Sequence, residues 1–201
     1  MEYAGRFSNS IRERSHNMMN ACRIVFMLGP PCAGKTTISK EFANSMNCHH
    51  VSSGDIAREV ATQHQNVAHD LEKGDLADPD RMDDIMMRAI EDAANRYNML
   101  VVDGYPRYMA QLVDIFHFIP AWKYVFVLVA AKTDVIQDRA TFRSRSDDIH
   151  LRLRINTYLR ETDPVLMWLK SRGMLLPLDN NGIIPIEDHI TNLTDAVYAH
   201  G

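Results

Sequence analysis

The run Arg23-Ile24-Val25-Phe26-Met27-Leu28 is apolar and β-prone. It passes through the turn Gly29-Pro30-Pro31-Cys32-Ala33-Gly34 into Lys35-Thr36-Thr37, after which Ile38, Phe42 and Met46 recur every fourth residue. A buried strand that turns into a helix through G-x-x-x-x-G-K-T restricts the fold severely, because the turn needs backbone that only glycine adopts freely and that can close around an anion. The positive end of the following helix points at the same anion. Lys35 adds a charge for β- and γ-phosphates, and the Thr36 hydroxyl stands where such loops hold Mg²⁺.

Further apolar runs repeat the strand pattern at Cys48–Val51, Met99–Val102, Tyr124–Val129 and Met174–Leu178, with helical spacing between them. Continuous apolar strands alternating with helices predict an α/β fold, a central parallel five-stranded sheet covered on both faces. Ligands of such sheets bind at the carboxyl ends of the strands. There the loop from Gly29 to Lys35 and the segment Asp103-Gly104-Tyr105-Pro106-Arg107 should share one cleft, with Asp103 as a carboxylate that organises Mg²⁺. Helices are expected between Glu59 and Lys73, from Asp78 (cap) and Pro79 onward, and from Ile186 to Val197. Met82, Ile85, Met86, Ala89, Ile90 and Ala93 form an apolar stripe and read as core.

At 201 residues the chain has room for one substantial core, and its net charge of −4 with mixed signs argues against nucleic acid as a partner. No apolar run reaches membrane-spanning length, so no membrane partner is expected. Residues 1–21 are polar, lack a signal-peptide core and read as a flexible extension before a single domain over 22–201. Arg6, Arg12 and Arg14 among serines resemble a mitochondrial presequence, an impression opposed by Glu2 and Glu13. Cys22, Cys32 and Cys48 lack metal-type spacing and fit reduced thiols, which favours a cytoplasmic location. His49 and His50 read as structural. Arg139, Arg143, Arg145, Arg152, Arg154 and Arg160 crowd one segment, and at least two of them are expected to reach phosphates.

Four segments together resemble the adenylate kinase family of nucleoside monophosphate kinases. The family loop G-x-P-G-x-G-K-G-T is similar to Gly29–Thr37. Its S-T-G-D-x-x-R resembles Ser52-Ser53-Gly54-Asp55-Ile56-Ala57-Arg58, and its D-G-[FY]-P-R-x-x-x-Q resembles Asp103–Arg107 with Gln111. Its R-x-D-D and R-x-x-x-Y are similar to Arg145-Ser146-Asp147-Asp148 and to Arg154 with Tyr158. The resemblance implies a P-loop NTPase three-layer fold with a small lobe for the monophosphate near 52–82 and a minimal lid near 139–150. It implies reversible phosphoryl transfer from Mg-ATP to a nucleoside monophosphate by a monomer.

Carried over by residue, Lys35, Arg107, Arg143, Arg145 and Arg154 would be catalytic. Gly29, Pro31, Cys32, Ala33, Gly34, Lys35, Thr36, Thr37, Arg139 and Arg143 would hold ATP. Ser53, Gly54, Arg58, Ala77, Gly104, Arg107, Gln111, Arg145 and Arg154 would hold the monophosphate, and Thr36, Asp55 and Asp103 would serve Mg²⁺, largely through water. Helix periodicity from Asp134 makes Arg139 the donor-base residue and Arg143 the phosphate ligand. Counting back from Asp147 without gaps gives Arg139 the phosphate role instead.

Gln111 and Ser53 favour AMP, whereas the UMP/CMP kinases of the family usually carry asparagine and alanine at those positions. Ala57 enlarges the pocket. Cys32 and Thr36 replace family glycines, and the lid is shorter than in the family. These departures leave a nucleotide-binding module with little turnover as the reading from another class.

Overall fold

A computed structural model describes residues 22–72, 79–142 and 151–199. Five strands, β1 (Arg23–Leu28), β2 (His49–Ser52), β3 (Met99–Asp103), β4 (Tyr124–Ala130) and β5 (Leu175–Asp179), form one sheet in the order β2-β3-β1-β4-β5. Every pairing is parallel. The expected five-stranded parallel sheet is therefore present, with the second and fifth strands displaced by one residue from the apolar runs.

Alternation along β1 divides the core into two layers. Ile24, Phe26 and Leu28 face one side of the sheet, where they meet α4 (Pro79–Ala94), α5 (Met109–Phe118) and α8 (Asp163–Ser171) through Met86, Ile90, Leu112, Ile115, Val165 and Leu169. Val25 and Met27 face the other side, against α1 (Lys35–Ser45) and α9 (Ile186–Ala199) through Ile38, Phe42, Leu193 and Val197. Phe26 is fully buried and its ring lies 5.2 Å from that of Phe126. Of the stripe expected on α4, Met82, Met86, Ile90 and Ala93 are core and Ala89 packs against them, whereas Ile85 is half-buried and Met87 joins the core instead.

The segment after β2 departs from expectation. Helix α2 (Ser53–Gln63) starts six residues before Glu59, because the Ser52 hydroxyl accepts from the backbone N–H of Asp55 at 3.2 Å and caps the helix. Helix α3 (Gln65–Glu72) follows it. Helix α4 begins at Pro79 as expected, while the proposed cap Asp78 lies outside the described residues. Helices α6 (Thr133–Phe142) and α7 (Leu151–Thr157) complete the set, the latter continuing through a π turn, Tyr158–Thr162, into α8. No described helix is long and apolar enough to cross a membrane.

Register is what assembles the site. Met27 pairs with Asp103 across β1 and β3, and Ser52 pairs with Asp103 across β2 and β3. The carboxyl ends of three neighbouring strands thus lie level, and the segments leaving them enter one crevice.

Candidate active site

Leaving β1, the chain needs glycine twice. Gly29 has φ +138°, and a Cβ there would stand 2.2 Å from the carbonyl oxygen of Val129 on β4. Gly34 has φ +93°, and a Cβ there would stand 2.3 Å from Asn180 Nδ2. Between them Cys32 occupies the left-handed region at φ 59° with a side chain present, and it is buried. The thiol does not abolish the turn; it holds a conformation that costs an L-residue about 1–2 kcal/mol.

Helix α1 starts directly after Gly34, with no side-chain cap and no acidic residue in its first turn. Its leading N–H groups are therefore left to an anion. Lys35 Nζ folds back over the loop and donates to the carbonyl oxygens of Gly29 at 2.8 Å and Pro30 at 2.7 Å. Burial pulls its pKa down to about 8, against an upward pull from Asp103, and the nearby Arg107 and Arg154 add to the lowering.

A brace from the far end of the sheet fixes the loop. Asn180, the residue after β5, donates through Nδ2 to the Ala33 carbonyl at 2.8 Å, and Arg139 Nη1 donates to the same oxygen at 3.0 Å. Arg139 Nη2 reaches Asn180 Oδ1 at 3.3 Å. Sequence reasoning missed Asn180, whose only signal was its position at a strand's carboxyl end.

Thr36 Oγ1 donates to Asp103 Oδ2 at 2.6 Å, bringing together two of the three residues named for Mg²⁺. A hydroxyl and a carboxylate at a phosphate loop are the hard oxygen donors that Mg²⁺ accepts, usually with waters and phosphates completing the shell, so these residues fit the ion. Asp55 faces elsewhere: its Oδ1 pairs with Arg58 Nη2 at 2.5 Å. Partial burial pushes the Asp55 carboxyl up, but the hydrogen bond and charge of Arg58 outweigh it and hold the group below its ordinary range. His50 Nε2 lies 3.9 Å from Asp103 Oδ2, and burial lowers its pKa despite that neighbour. His49 stacks on Tyr97 at 4.6 Å, and no metal-binding cluster of His, Cys, Asp and Glu occurs among the described residues.

Arg107 is locked into the opposite wall. Its Nε donates to the Gly104 carbonyl at 2.7 Å and its Nη2 to Ser53 Oγ at 2.9 Å, while Ser53 itself donates to that carbonyl at 2.7 Å. Gly104, at φ +75°, is required because a Cβ would fall 2.7 Å from Ser53 Oγ. Burial lowers the Arg107 pKa, and Arg154 and Arg58 lower it further. Four cations, Lys35, Arg58, Arg107 and Arg154, are thus gathered at one place, with Asp103 and Asp55 as their neighbouring carboxylates. Gln111, on the first turn of α5, accepts at Oε1 from the Arg107 backbone N–H at 2.6 Å and donates from Nε2 to Asp83 Oδ1 at 2.6 Å.

Two cavities open on this arrangement. One is walled by Leu28, Ala57, Met82, Met86, Tyr105, Tyr108, Gln111 and Tyr158. The other is walled by Cys32, Gly34, Thr36, Thr37, Asp103, Arg139, Asn180, Ile184 and His189. They meet at Lys35, Ser53, Gly54, Arg58, Gly104, Arg107 and Arg154, and Pro31 borders both. The described residues named from the sequence thus surround one double cavity, apart from Asp55, which is turned to Arg58 beside it, and Ala33, which is fully buried with its carbonyl held by Asn180 and Arg139. Arg143, Arg145 and Ala77, with most of the segment 139–150, lie outside the described residues.

A parallel sheet whose first strand feeds a glycine-bounded phosphate loop, with a carboxylate at the end of the neighbouring strand, defines a P-loop nucleotide-binding protein. Comparison with known proteins narrows the class. A family model described as an AAA domain matches residues 28–152. The adenylate kinase of Clavibacter michiganensis subsp. michiganensis (strain NCPPB 382) is 30% identical over 171 residues, covering 79% of this chain and 85% of that protein. That of Trichodesmium erythraeum (strain IMS101) is 30% identical over 184 residues, covering 85% and 94%. Adenylate kinase isoenzyme 1 of Gallus gallus is 27% identical over 171 residues, covering 81% and 88%. This chain belongs to the adenylate kinase family, and it is a nucleoside monophosphate kinase, a phosphotransferase.

Proposed function

We propose that the chain transfers the γ-phosphoryl group of Mg-ATP reversibly to AMP, ATP + AMP = 2 ADP. The observation that carries this reading is the pair of cavities joined at Lys35, Arg58, Arg107 and Arg154. A protein that only bound ATP would have no use for a second cavity sharing the same four cations.

In this reading the loop amides, Lys35, Thr36 and Thr37 hold the donor phosphates. The donor base lies toward Arg139, Asn180 and Ile184, and Arg139 therefore takes the base-side role rather than that of a phosphate ligand. Arg58 and Arg107 hold the acceptor phosphate, and Ala57, Met82 and Met86 cover the acceptor base beside Gln111. Ser53 and Gly104 fix Arg107 in place, so its fork is oriented before substrate arrives. Arg107 and Arg154 stabilise charge on the transferring group, as does Lys35 once it leaves the carbonyls of Gly29 and Pro30. Thr36 and Asp103 would hold Mg²⁺, which when bound would supply positive charge against the phosphates, and Asp55, paired with Arg58, would reach it only through water. Arg143 and Arg145 complete the cationic set by resemblance, and Ala77 the acceptor pocket.

The test is to incubate the protein with Mg-ATP and, separately, AMP, CMP, UMP and GMP, and to quantify the diphosphates formed. AMP is expected to be the fastest acceptor, with two ADP formed per event. Faster turnover of UMP or CMP would move the protein to the pyrimidine branch. No turnover with any acceptor would leave a binding module.

A further inference from the structure

Asp83 is an acid on the core-facing side of α4, beside Met82 and Met86, and is only 8% exposed. An ionised side chain is rarely buried without a partner, and an apolar residue would pack there at lower cost. Gln111, itself 2% exposed, donates from Nε2 to Asp83 Oδ1 at 2.6 Å. At the other end of the same carboxamide, Oε1 accepts from the Arg107 backbone N–H at 2.6 Å.

These two contacts make opposite demands. An ionised carboxylate only accepts, and a backbone N–H only donates. Turning the Gln111 amide over would set its oxygen against the Asp83 carboxylate and its NH₂ against the Arg107 N–H, so both bonds would become repulsions. Each partner uses one position of the amide. One N–H and one lone pair remain for a ligand in the cavity that Gln111 lines.

A purine with a 6-amino group offers an acceptor, N1, beside a donor, N6–H. A 6-oxopurine offers the reverse, a donor N1–H beside the acceptor O6. We propose that Asp83 is a positioning residue for the acceptor base: by fixing which way round the Gln111 carboxamide lies, it sets the cavity to read a 6-aminopurine edge and to reject a 6-oxo edge. The inference rests on assigning this cavity to the acceptor nucleotide. A site built to hydrogen-bond one pattern leaves its own groups unpaired against the other, which is a strong source of discrimination.

The test compares AMP with inosine monophosphate as acceptors for the wild type and for Asp83→Asn. Asparagine keeps the volume and can still bond to Gln111, but it donates as readily as it accepts, which lifts one of the two restraints. The wild type should favour AMP by roughly 100-fold or more in kcat/KM, within the range such sites reach. In Asp83→Asn the ratio should fall at least about tenfold, through a higher KM for AMP, with kcat and the KM for Mg-ATP within about twofold.

A wild type without preference between the two acceptors would defeat the assignment of the cavity and the inference with it. A wild type that prefers AMP, beside a variant whose ratio is unchanged, would overturn the role of Asp83 alone. A purely structural role would lower both acceptors together and leave the ratio intact.

Should the variant fail to fold, the side-chain NH₂ signals of Gln111 in the wild type decide the matter. Two well-separated, slowly exchanging protons, only one of which shifts on addition of AMP, support the locked amide. A pair that averages and exchanges freely contradicts it.

Discussion

Lys35 gives the account a quantitative handle in pH. In the nucleotide-free protein its ammonium is bonded to two loop carbonyls and surrounded by protein, with Arg107 and Arg154 near, and its pKa falls from the ordinary 10.5 to about 8. Phosphates next to the ammonium would restore the charged form. The protonated fraction of the free protein is about three-quarters at pH 7.5 and about 3% at pH 9.5, so affinity for Mg-ATP should fall ~20-fold across that interval. Binding near pH 9 should take up close to one proton.

The sign for stability is the reverse. Between pH 8 and 10.5 the unfolded chain binds the proton that the folded chain has released, so this group's contribution makes the nucleotide-free protein more stable as pH rises. Calorimetric titration with Mg-ATP in two buffers of different ionisation enthalpy measures both affinity and proton uptake. Lys35→Met should bind weakly and lose the uptake. Wild-type affinity constant within twofold over the interval, or an equal slope in Lys35→Met, would refute the placement of this ammonium at the phosphates.

Other expectations concern the loop and the opposite wall. Cys32→Gly removes a left-handed L-residue and gains freedom in the unfolded chain, two effects of about 1 kcal/mol that nearly offset. Its unfolding free energy should thus lie close to wild type, whereas Cys32→Val, β-branched at φ 59°, should lose at least ~1 kcal/mol in equilibrium denaturation. Arg107→Ala should lower turnover by on the order of 10³ while leaving Mg-ATP affinity within a few-fold, as measured by steady-state kinetics alongside nucleotide binding. A loss below tenfold would remove Arg107 from the transfer step.

Much of the sheet and the phosphate loop was legible because both are local. Buried parallel strands are written as continuous apolar runs, and Gly29 and Gly34 mark the turn, the first because a Cβ would strike the Val129 carbonyl and the second because its φ of +93° strains any side chain. The start of α2 was not legible, since Ser52-Ser53-Gly54 reads as loop until the Ser52 hydroxyl is seen to cap the helix. Asn180 braces Ala33 across 147 positions of sequence, a contact that only the strand order β1-β4-β5 creates. Asp83 was hidden for a different reason. Within an amphipathic helix an acid next to the apolar stripe reads as surface, and only the approach of α5 turns that position into the partner of Gln111. Thr36 and Asp103 could each be named from the sequence, but their 2.6 Å hydrogen bond follows from the register of β1 and β3.

The claim beneath all of this is that two nucleotides occupy the joined cavities together. The most direct measurement is the stoichiometry and affinity of AMP binding in the presence of a saturating, non-transferable Mg-ATP analogue. One AMP should bind per chain alongside one analogue, with neither displacing the other, and Arg107→Ala should weaken AMP far more than the analogue. Displacement of the analogue by AMP, or a single nucleotide per chain at saturation of both, would contradict the account.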